Sequence, residues 1–318
     1  MNDIGEPINK AVRKILDQMS RAIVGKEEVI MKLLMCLLCE GHVLIEDYPG
    51  LGKTLIAKSF ARTLGLQFKR IQFTSDLLPA DITGSFVFDR NESRFVLRKG
   101  PLFANIVLAD EVNRAPPRTQ SALLEAMQER QVTIEDSTYQ LPRPFMVIAT
   151  QNPIEYEGTY PLPEAQVDRF LAKISVGYPS AQEEFNIAGK RNERKYDDVE
   201  LEVVVDAPEV EEMRKGVEDV YVDKSLLNYM VEIVRRTRVH KDVEIGASPR
   251  GTLALLKLSK ASAWMHGREY LIPDDIKQIA LDALSHRIIL KPEQMLRGGK
   301  SVAVVKEILE QVPVPKVD

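Results

Sequence analysis

The stretch LIEDYPGLGKTLIAK, residues 44 to 58, has the layout of a phosphate-binding loop between a strand and a helix. The overlapping GHVLIE predicts a buried strand, and Asp47 to Lys53 would form the loop. Backbone N–H groups in such a loop contact phosphate oxygens, and Lys53 supplies a mobile positive charge. Thr54 would begin the helix, where its hydroxyl can bind magnesium and the helix N-terminus faces the phosphates. The stretch therefore predicts nucleotide binding.

One position departs from the usual G-x-x-x-x-G-K-[ST] spacing, because Asp47 stands where the first glycine belongs. Pro49, Gly50 and Gly52 still permit a tight loop whose backbone can approach a phosphate. The alternative interpretation is a plain turn that joins a buried strand to a helix.

The composition describes a globular protein of one large or two medium domains. The chain has 318 residues, of which 44% are hydrophobic, and its net charge of -4 gives no support to a nucleic-acid partner. No apolar run approaches the roughly 18 to 20 residues that span a bilayer, and the first residues lack the pattern of a signal peptide. We therefore expect a cytoplasmic protein with no membrane association and no nucleic-acid partner.

Two cysteines, Cys36 and Cys39, form a C-x-x-C motif inside an apolar helical pattern. The motif could in principle be a redox pair or half of a metal site. Because no further cysteine is present and His42 is the only nearby histidine, we expect both thiols to be buried in the core.

From residue 43 to 175, short apolar strands alternate with amphipathic helices. This alternation predicts a parallel sheet with helices on both faces, whose ligands bind at the carboxyl ends of the strands. Segments 84 to 100 and 131 to 145 each have two strand-like runs around a polar turn, which predicts two β-hairpins. In the first hairpin, Phe86, Phe88 and Phe95 alternate with polar residues, so one face could pack on the domain while the polar tip reaches out to a client. The alternative is that all three simply form the core of the hairpin.

Beyond residue 180 the periodicity becomes helical, with apolar residues at i, i+3 and i+4. We therefore predict an α/β nucleotide-binding domain over residues 1 to 180 and a helical lid domain over residues 181 to 318. The charged stretch 190 to 212 is interpreted as a solvated connection.

Polar residues follow two of the predicted strands. NIVLADE ends with Asp110 and Glu111; in phosphate-loop enzymes the first acid holds magnesium and the second orients or deprotonates the attacking water. FMVIATQNP ends with Asn152, whose amide could contact both the γ-phosphate and the water. Ordinary solvated acids and a simple strand terminator are the alternatives.

Two arginines follow in the settings PLPEAQVDRF and GASPRGTL. Charge that develops on a transferred phosphoryl group is stabilised by a guanidinium, which Arg169 or Arg250 could supply. A lone arginine is more often part of a surface ion pair. A catalytic role for these two is therefore supported only by their position after the other nucleotide-site motifs in the chain.

The ordered motifs IVGKEE, EDYPGLGKT, QFTSDLLPADITG, LADEVNRAPPRTQSALLEAMQER, ATQNP, EAQVDRF and SPR resemble the MoxR family of AAA+ ATPases over nearly the whole chain. The resemblance implies an α/β phosphate-loop domain with hairpin inserts, followed by a small helical lid. Its functional residues would be Lys53 and Thr54 (phosphate and magnesium ligands), Asp110 and Glu111 (Walker B pair), Asn152 (first sensor), Arg169 (arginine finger) and Arg250 (second sensor). Further nucleotide contacts would be Val24, Gly25, Glu46, Asp47, Tyr48, Pro49, Gly50, Leu51, Gly52 and Leu55.

The resemblance also implies cofactors and partners. It indicates ATP with Mg²⁺, a hexameric ring in which Arg169 acts on the neighbour's nucleotide, and chaperone-like work on a protein client, including maturation of metal or cofactor enzymes. Partners in this family include proteins with von Willebrand factor A domains, and the two hairpins are candidate partner contacts.

Three alternatives remain at the level of the sequence. A nucleic-acid motor would need basic hairpin tips, whereas DRNES and EDST are mixed and acidic. A nucleotide-gated scaffold without hydrolysis fits poorly with Glu111 and both arginines. The ATPase subunit of a metal chelatase would differ in its client. The sequence leaves open whether Arg250 reaches its own subunit's nucleotide or a neighbour's, and what Arg114 does.

Overall fold

The structure is a computed structural model that describes residues 8–91, 93–153 and 159–316. Its strands, numbered along the chain, are β1 (Val43–Glu46), β2 (Phe68–Gln72), β3 (Gly84–Asp89), β4 (Arg94–Lys99), β5 (Ile106–Asp110), β6 (Gln131–Ile134), β7 (Ser137–Gln140), β8 (Met146–Gln151), β9 (Ala172–Ile174), β10 (Val243–Ile245) and β11 (Ile289–Leu290).

The helices alternate with these strands as far as β9 and then dominate the chain. They are α1 (Lys10–Ser20), α2 (Glu27–Leu38), α3 (Lys53–Thr63), α4 (Pro79–Thr83), α5 (Pro117–Glu129), α6 (Glu164–Val167), α7 (Ala181–Arg194), α8 (Ala207–Glu218), α9 (Lys224–Val239), α10 (Pro249–Met265), α11 (Pro273–Leu284), α12 (Pro292–Leu296) and α13 (Ser301–Gln311). Two 3₁₀ turns, Val112–Arg114 and Ser285–Arg287, complete the described elements.

Five parallel strands form the central sheet in the order β2-β5-β8-β1-β9. Its inner strands are buried on both faces, as all-parallel sheets require. On β5, Ile106 and Leu108 belong to the core on one face, whereas Val107 and Ala109 belong to the core on the other. The predicted parallel sheet flanked by helices is confirmed.

The helical region shares one of these cores with the sheet. Residues of α10 and α11 belong to the same cluster as α2 and one face of the sheet. Lys32 on α2 pairs with Asp282 on α11 at 2.7 Å, and Glu40 pairs with Arg214 on α8 at 2.8 Å. Apolar packing and ion pairs therefore fix the position of the lid; the boundary after residue 180 stays a prediction.

The interpretation of residues 190 to 212 as a solvated connection holds only in part, because most of its residues are exposed but three pack on the core. The stretch contains the end of α7 and the start of α8, and Leu201, Val205 and Val210 within it are buried. The Val204 N–H also donates to the carbonyl oxygen of Thr63 at 3.0 Å. Three apolar side chains among many charges were enough to bring this segment onto the core.

The prediction for the cysteines is confirmed. Cys36 and Cys39 are buried and unpaired near the end of α2, and burial raises the pKa of the Cys39 thiol to about 12. Across the described residues, no helix is both long and apolar enough to cross a membrane.

Both predicted hairpins are present, β3 with β4 and β6 with β7. Residue 92, between β3 and β4 in the sequence, lies outside the described residues. Phe86 and Leu97 form a cross-strand pair at the base and pack against the core. Phe88 and Phe95 are the next pair on the same face, with ring centroids 5.4 Å apart, and remain 51% and 68% exposed. The apolar stripe thus continues past the edge of the core.

Candidate nucleotide-binding site

The loop between β1 and α3 has the backbone that a phosphate cradle needs. Gly50 and Gly52 have φ values of 83° and 76°, in the left-handed region that glycine adopts most easily. The Lys53 ammonium donates to the carbonyl oxygen of Asp47 at 2.8 Å. Burial lowers the pKa of Lys53, and the charges of Asp47, Asp110 and Glu111 oppose this shift.

The carboxylate of Asp47 anchors this loop to the chain after β9. It accepts from the N–H groups of Val176 and Gly177 at 2.8 and 2.7 Å, and from the Ser175 hydroxyl at 2.9 Å. Although burial raises the pKa of Asp47, these donors lower it below its usual value. The carboxylate is therefore engaged away from the phosphates, and nucleotide contact by Asp47 could come only from its backbone.

Thr150 at the end of β8 organises the two acids at the end of β5. Its hydroxyl donates to Asp110 Oδ1 at 2.6 Å and accepts from the backbone N–H of Glu111 at 2.9 Å. The backbone of Glu111 has a left-handed φ of 57°, which the Thr150 contact helps to hold. The acids are thus oriented by a neighbouring strand.

A second group of polar residues contacts the side-chain carboxylate oxygens of these two acids. Arg70 on β2 donates to Asp110 Oδ2 at 2.7 Å, and Gln72 on β2 donates to Glu111 Oε2 at 2.8 Å. Arg114 lies 3.2 Å from the same oxygen of Glu111. None of Arg70, Gln72 and Thr150 was predicted, and the role of Arg114 was left open. For Gln72 and Thr150 the available signal was a polar residue at the carboxyl end of a strand.

Two cavities meet at the loop. The first, the phosphate pocket, has a volume of about 470 Å³ and is lined by Pro49, Gly50, Leu51, Gly52, Lys53, Thr54, Leu55, Arg70, Gln72, Asp110, Glu111, Thr150 and Asn152. The second, the base-side pocket, has about 390 Å³ and a more apolar lining of Ala22, Ile23, Val24, Lys26, Pro49, Gly50, Leu51, Gly52, Leu55, Ile56, Tyr178, Pro179, Glu184 and Ile187. Together they have the shape and chemistry for a nucleotide, with phosphates on one side of the loop and a base on the other.

Four predicted nucleotide contacts do not line either pocket in the described part of the chain. Glu46 pairs with Lys173 on β9 at 2.8 Å, Asp47 anchors the loop, and Tyr48 stacks on Tyr178 with centroids 6.0 Å apart. Gly25 lies against Glu183, and a Cβ there would be 1.6 Å from that carboxylate. These residues shape the surroundings of the loop, and their direct contact with nucleotide stays a prediction.

The donors in the phosphate pocket fit a magnesium ion. The Thr54 hydroxyl and the Asp110 carboxylate both line it, and Mg²⁺ prefers such hard oxygen ligands together with phosphate and water. In the described residues no cluster of three or more His, Cys, Asp and Glu side chains could hold a metal.

Arg169 and Arg250 lie together at the opposite edge of the sheet. They line a third cavity, the amino-edge pocket, of about 250 Å³, which also includes Gly41 and His42 just before β1 and Leu171 just before β9. The phosphate loop instead follows the end of β1. Four residues of parallel strand separate the two edges by about 13 Å.

The amino-edge pocket has an excess of positive charge. Its lining contains Arg130, Arg169, Arg250, Lys257 and Arg287 against the carboxylates of Glu40 and Asp168. His42 adds no charge, because burial lowers its pKa to about 4, and its neutral ring donates to the Met127 carbonyl and accepts from the Val147 N–H. The pocket is therefore suited to an anion.

A parallel sheet with a phosphate loop after β1, two acids after β5 and a helical lid together define an ATPase of the AAA class. Sequence comparisons agree: residues 42–172 match the model of the ATPase family associated with various cellular activities (AAA), and residues 235–308 match the AAA lid domain.

Two relatives and one solved structure resemble the chain over nearly its full length. YeaC of Bacillus subtilis (strain 168) is 47% identical over 98% of this chain and 97% of its own. Chaperone MoxR1 of Mycobacterium tuberculosis is 40% identical over 96% of this chain and 83% of its own. The crystal structure of a candidate ATPase from Cytophaga hutchinsonii superposes with a TM-score of 0.91 at 41% identity, covering 96% of this chain and 95% of that one. The chain belongs to the MoxR family of AAA+ ATPases.

Proposed function

We propose that this chain hydrolyses ATP with Mg²⁺ in a ring of identical subunits and uses the cycle to remodel a protein client. The observation that carries the proposal is the division of the site between two edges of one sheet: the loop and acids at the carboxyl edge, Arg169 and Arg250 at the amino edge. Neither arginine lines its own phosphate pocket. A second copy that places its phosphate pocket against this edge would complete the site.

In this proposal Lys53 and the loop N–H groups bind the phosphates, and Thr54 and Asp110 hold Mg²⁺, which neutralises phosphate charge when bound. Glu111 accepts a proton from the attacking water; Thr150 holds the backbone of Glu111, and Gln72 donates to its carboxylate. Asn152 lines the same pocket and orients the water or the γ-phosphate. Arg169 and Arg250 of the adjoining copy stabilise the charge of the transition state.

The remodelling role is inferred mainly from similarity to related proteins and not from the geometry of the nucleotide site. Its support is the relative named a chaperone, the MoxR family membership and the exposed first hairpin. A hexameric ring, a client with a von Willebrand factor A domain and action on metal or cofactor enzymes are the finer forms of this proposal. ATP turnover whose specific activity rises with protein concentration tests the shared site, and a client held by a hydrolysis-deficient variant tests the remodelling.

The first hairpin should serve the client and not the chemistry. Replacing residues 89 to 93 with a short Gly-Ser turn, or Phe88 and Phe95 with serine, should leave basal ATPase within about twofold, because none of the described hairpin residues lines the phosphate pocket. Stimulation of the ATPase by the client should fall by about tenfold, since exposed aromatic pairs are typical contact points.

The measurement is the ATPase rate with and without a client. That client is first recovered on rings of the Glu111→Gln variant, which is expected to hydrolyse ATP slowly. In a matched control variant, the tip of the second hairpin is shortened at Glu135 and Asp136. The described strands of this hairpin contain no comparable aromatic pair. Loss of basal turnover in a folded variant of the first hairpin would contradict the separation.

A further inference from the structure

Asp168, the residue before Arg169, contacts two further arginines at the amino edge. Its Oδ1 accepts from Arg287 Nε at 2.8 Å. Its Oδ2 accepts from the Ser248 hydroxyl at 3.2 Å and lies 3.9 Å from Arg250 Nη1. The Asp168 carboxylate therefore links three parts of the fold. They are the chain segment that carries Arg169, the 3₁₀ turn after α11 and the start of α10.

Arg287 holds this segment with several hydrogen bonds. Its guanidinium donates to the carbonyl oxygens of Phe170 and Leu171 at 2.6 and 3.2 Å, as well as to Asp168. The side chain is only 3% exposed. Burial lowers the pKa of Arg287, whereas the charge and the hydrogen bond of Asp168 raise it.

The same carboxylate acts on the lid side. Ser248 is the N-cap of α10, and its hydroxyl accepts from the backbone N–H of Arg250 at 3.2 Å while donating to Asp168. The first turn of α10, and with it the base of the Arg250 side chain, is therefore tied to residue 168.

Arg169 itself is left available. It is exposed, and within the described residues its side chain forms no hydrogen bond or ion pair, whereas its neighbour Asp168 has three polar contacts. Fixing the backbone on both sides of an unpaired arginine is the arrangement that presents a guanidinium to an external anion.

We propose that Asp168 and Arg287 are positioning residues that hold Arg169 and Arg250 as one preorganised cationic unit for a phosphate presented by a second copy of the chain. The inference rests on the proposed function. A displacement of about 1 Å at such a site can cost about 10²-fold in rate. The contacts that Asp168 and Arg287 make around Arg169 and Arg250, called the clamp below, therefore set the turnover of the neighbouring subunit.

Two variants test the clamp. Asp168→Asn keeps the shape of the side chain but removes its charge, and Arg287→Lys keeps the charge but loses the planar fork that serves several acceptors. We expect kcat for ATP to fall by about 10- to 100-fold in both, with KM changed by less than about twofold, because each subunit's own phosphate pocket is untouched. Rates are measured well below each variant's melting temperature.

A buried ion pair elsewhere in the lid provides the matched control. Asp275 is 2% exposed and accepts from Arg268 at 2.6 and 2.8 Å. Asp275→Asn should lower the melting temperature yet leave kcat per folded ring near that of the unmodified protein. Equal losses of kcat in Asp275→Asn and Asp168→Asn would show a general effect of lid stability and overturn the inference.

Subunit mixing locates the defect. Asp168→Asn mixed with Lys53→Ala should regain activity, because interfaces form between an intact loop and an intact arginine pair. Asp168→Asn mixed with Arg169→Ala should not, because neither copy offers an intact pair. If Arg169→Ala is rescued by Lys53→Ala while Asp168→Asn and Arg287→Lys turn over normally, the clamp is wrong and the shared site stands. If Arg169→Ala is not rescued although mixed rings form, the shared site itself fails.

Discussion

Arg169→Ala should lose ATP hydrolysis by about 10³-fold or more, the range that an arginine finger contributes, while ATP affinity stays within a few-fold. The reason is geometric. Arg169 lines the amino-edge pocket, about one strand length from its own phosphate loop, so it makes no ground-state contact there. Turnover under saturating ATP and binding of a fluorescent ATP analogue measure the two quantities. Arg235→Ala, an exposed arginine on α9, is the control and should behave like the unmodified protein.

Mixing decides which subunit Arg169 serves. Arg169→Ala and Lys53→Ala are each expected to be inactive, but under subunit exchange some interfaces pair an intact loop with an intact arginine, and part of the activity should return. The same experiment with Arg250→Ala answers the question that the sequence left open, and its position beside Asp168 leads us to expect the same rescue. Mixed rings without activity would mean that the arginines act within their own subunit or only in folding.

Glu111→Gln should bind ATP and Mg²⁺ normally and hydrolyse ATP at least about 10²-fold more slowly, the scale of general-base assistance. The amide keeps the size of the side chain but cannot accept the proton of the attacking water. Lys53→Ala should instead lose nucleotide affinity, because it removes a phosphate contact that is made before the reaction.

Single-turnover hydrolysis and nucleotide binding distinguish these two defects. Glu125→Gln, an exposed acid on α5, is the matched control for loss of one carboxylate. Turnover of Glu111→Gln near that of the unmodified protein at saturating ATP would remove Glu111 from the mechanism. The same slow variant holds clients on the ring and so provides the test of remodelling.

Much of the nucleotide domain was predictable because its signals are local. The glycine-bearing loop, the alternation of apolar strands with amphipathic helices and the polar turns of both hairpins are written in consecutive residues, and each is present in the structure. The buried cysteines followed from the same periodicity. The charged stretch 190 to 212 is mostly exposed as expected, but the burial of Leu201, Val205 and Val210 within it was not predicted.

The contacts between distant segments depended on tertiary structure. Gln72 contacts Glu111 only because β2 lies beside β5, and the carboxylate of Asp47 reaches residues 175 to 177 only because β9 lies beside β1. The base-side residues 178 to 187 lie by the loop for the same reason.

The position of the lid likewise decided where Arg250 lies. The sequence by itself determined the kinds of chemical group at the site, because residue type and short spacing specify a loop, a strand end or a helix start. Strand order and lid docking decided which groups meet, since they depend on how buried faces pack over the whole chain and no short pattern encodes that choice.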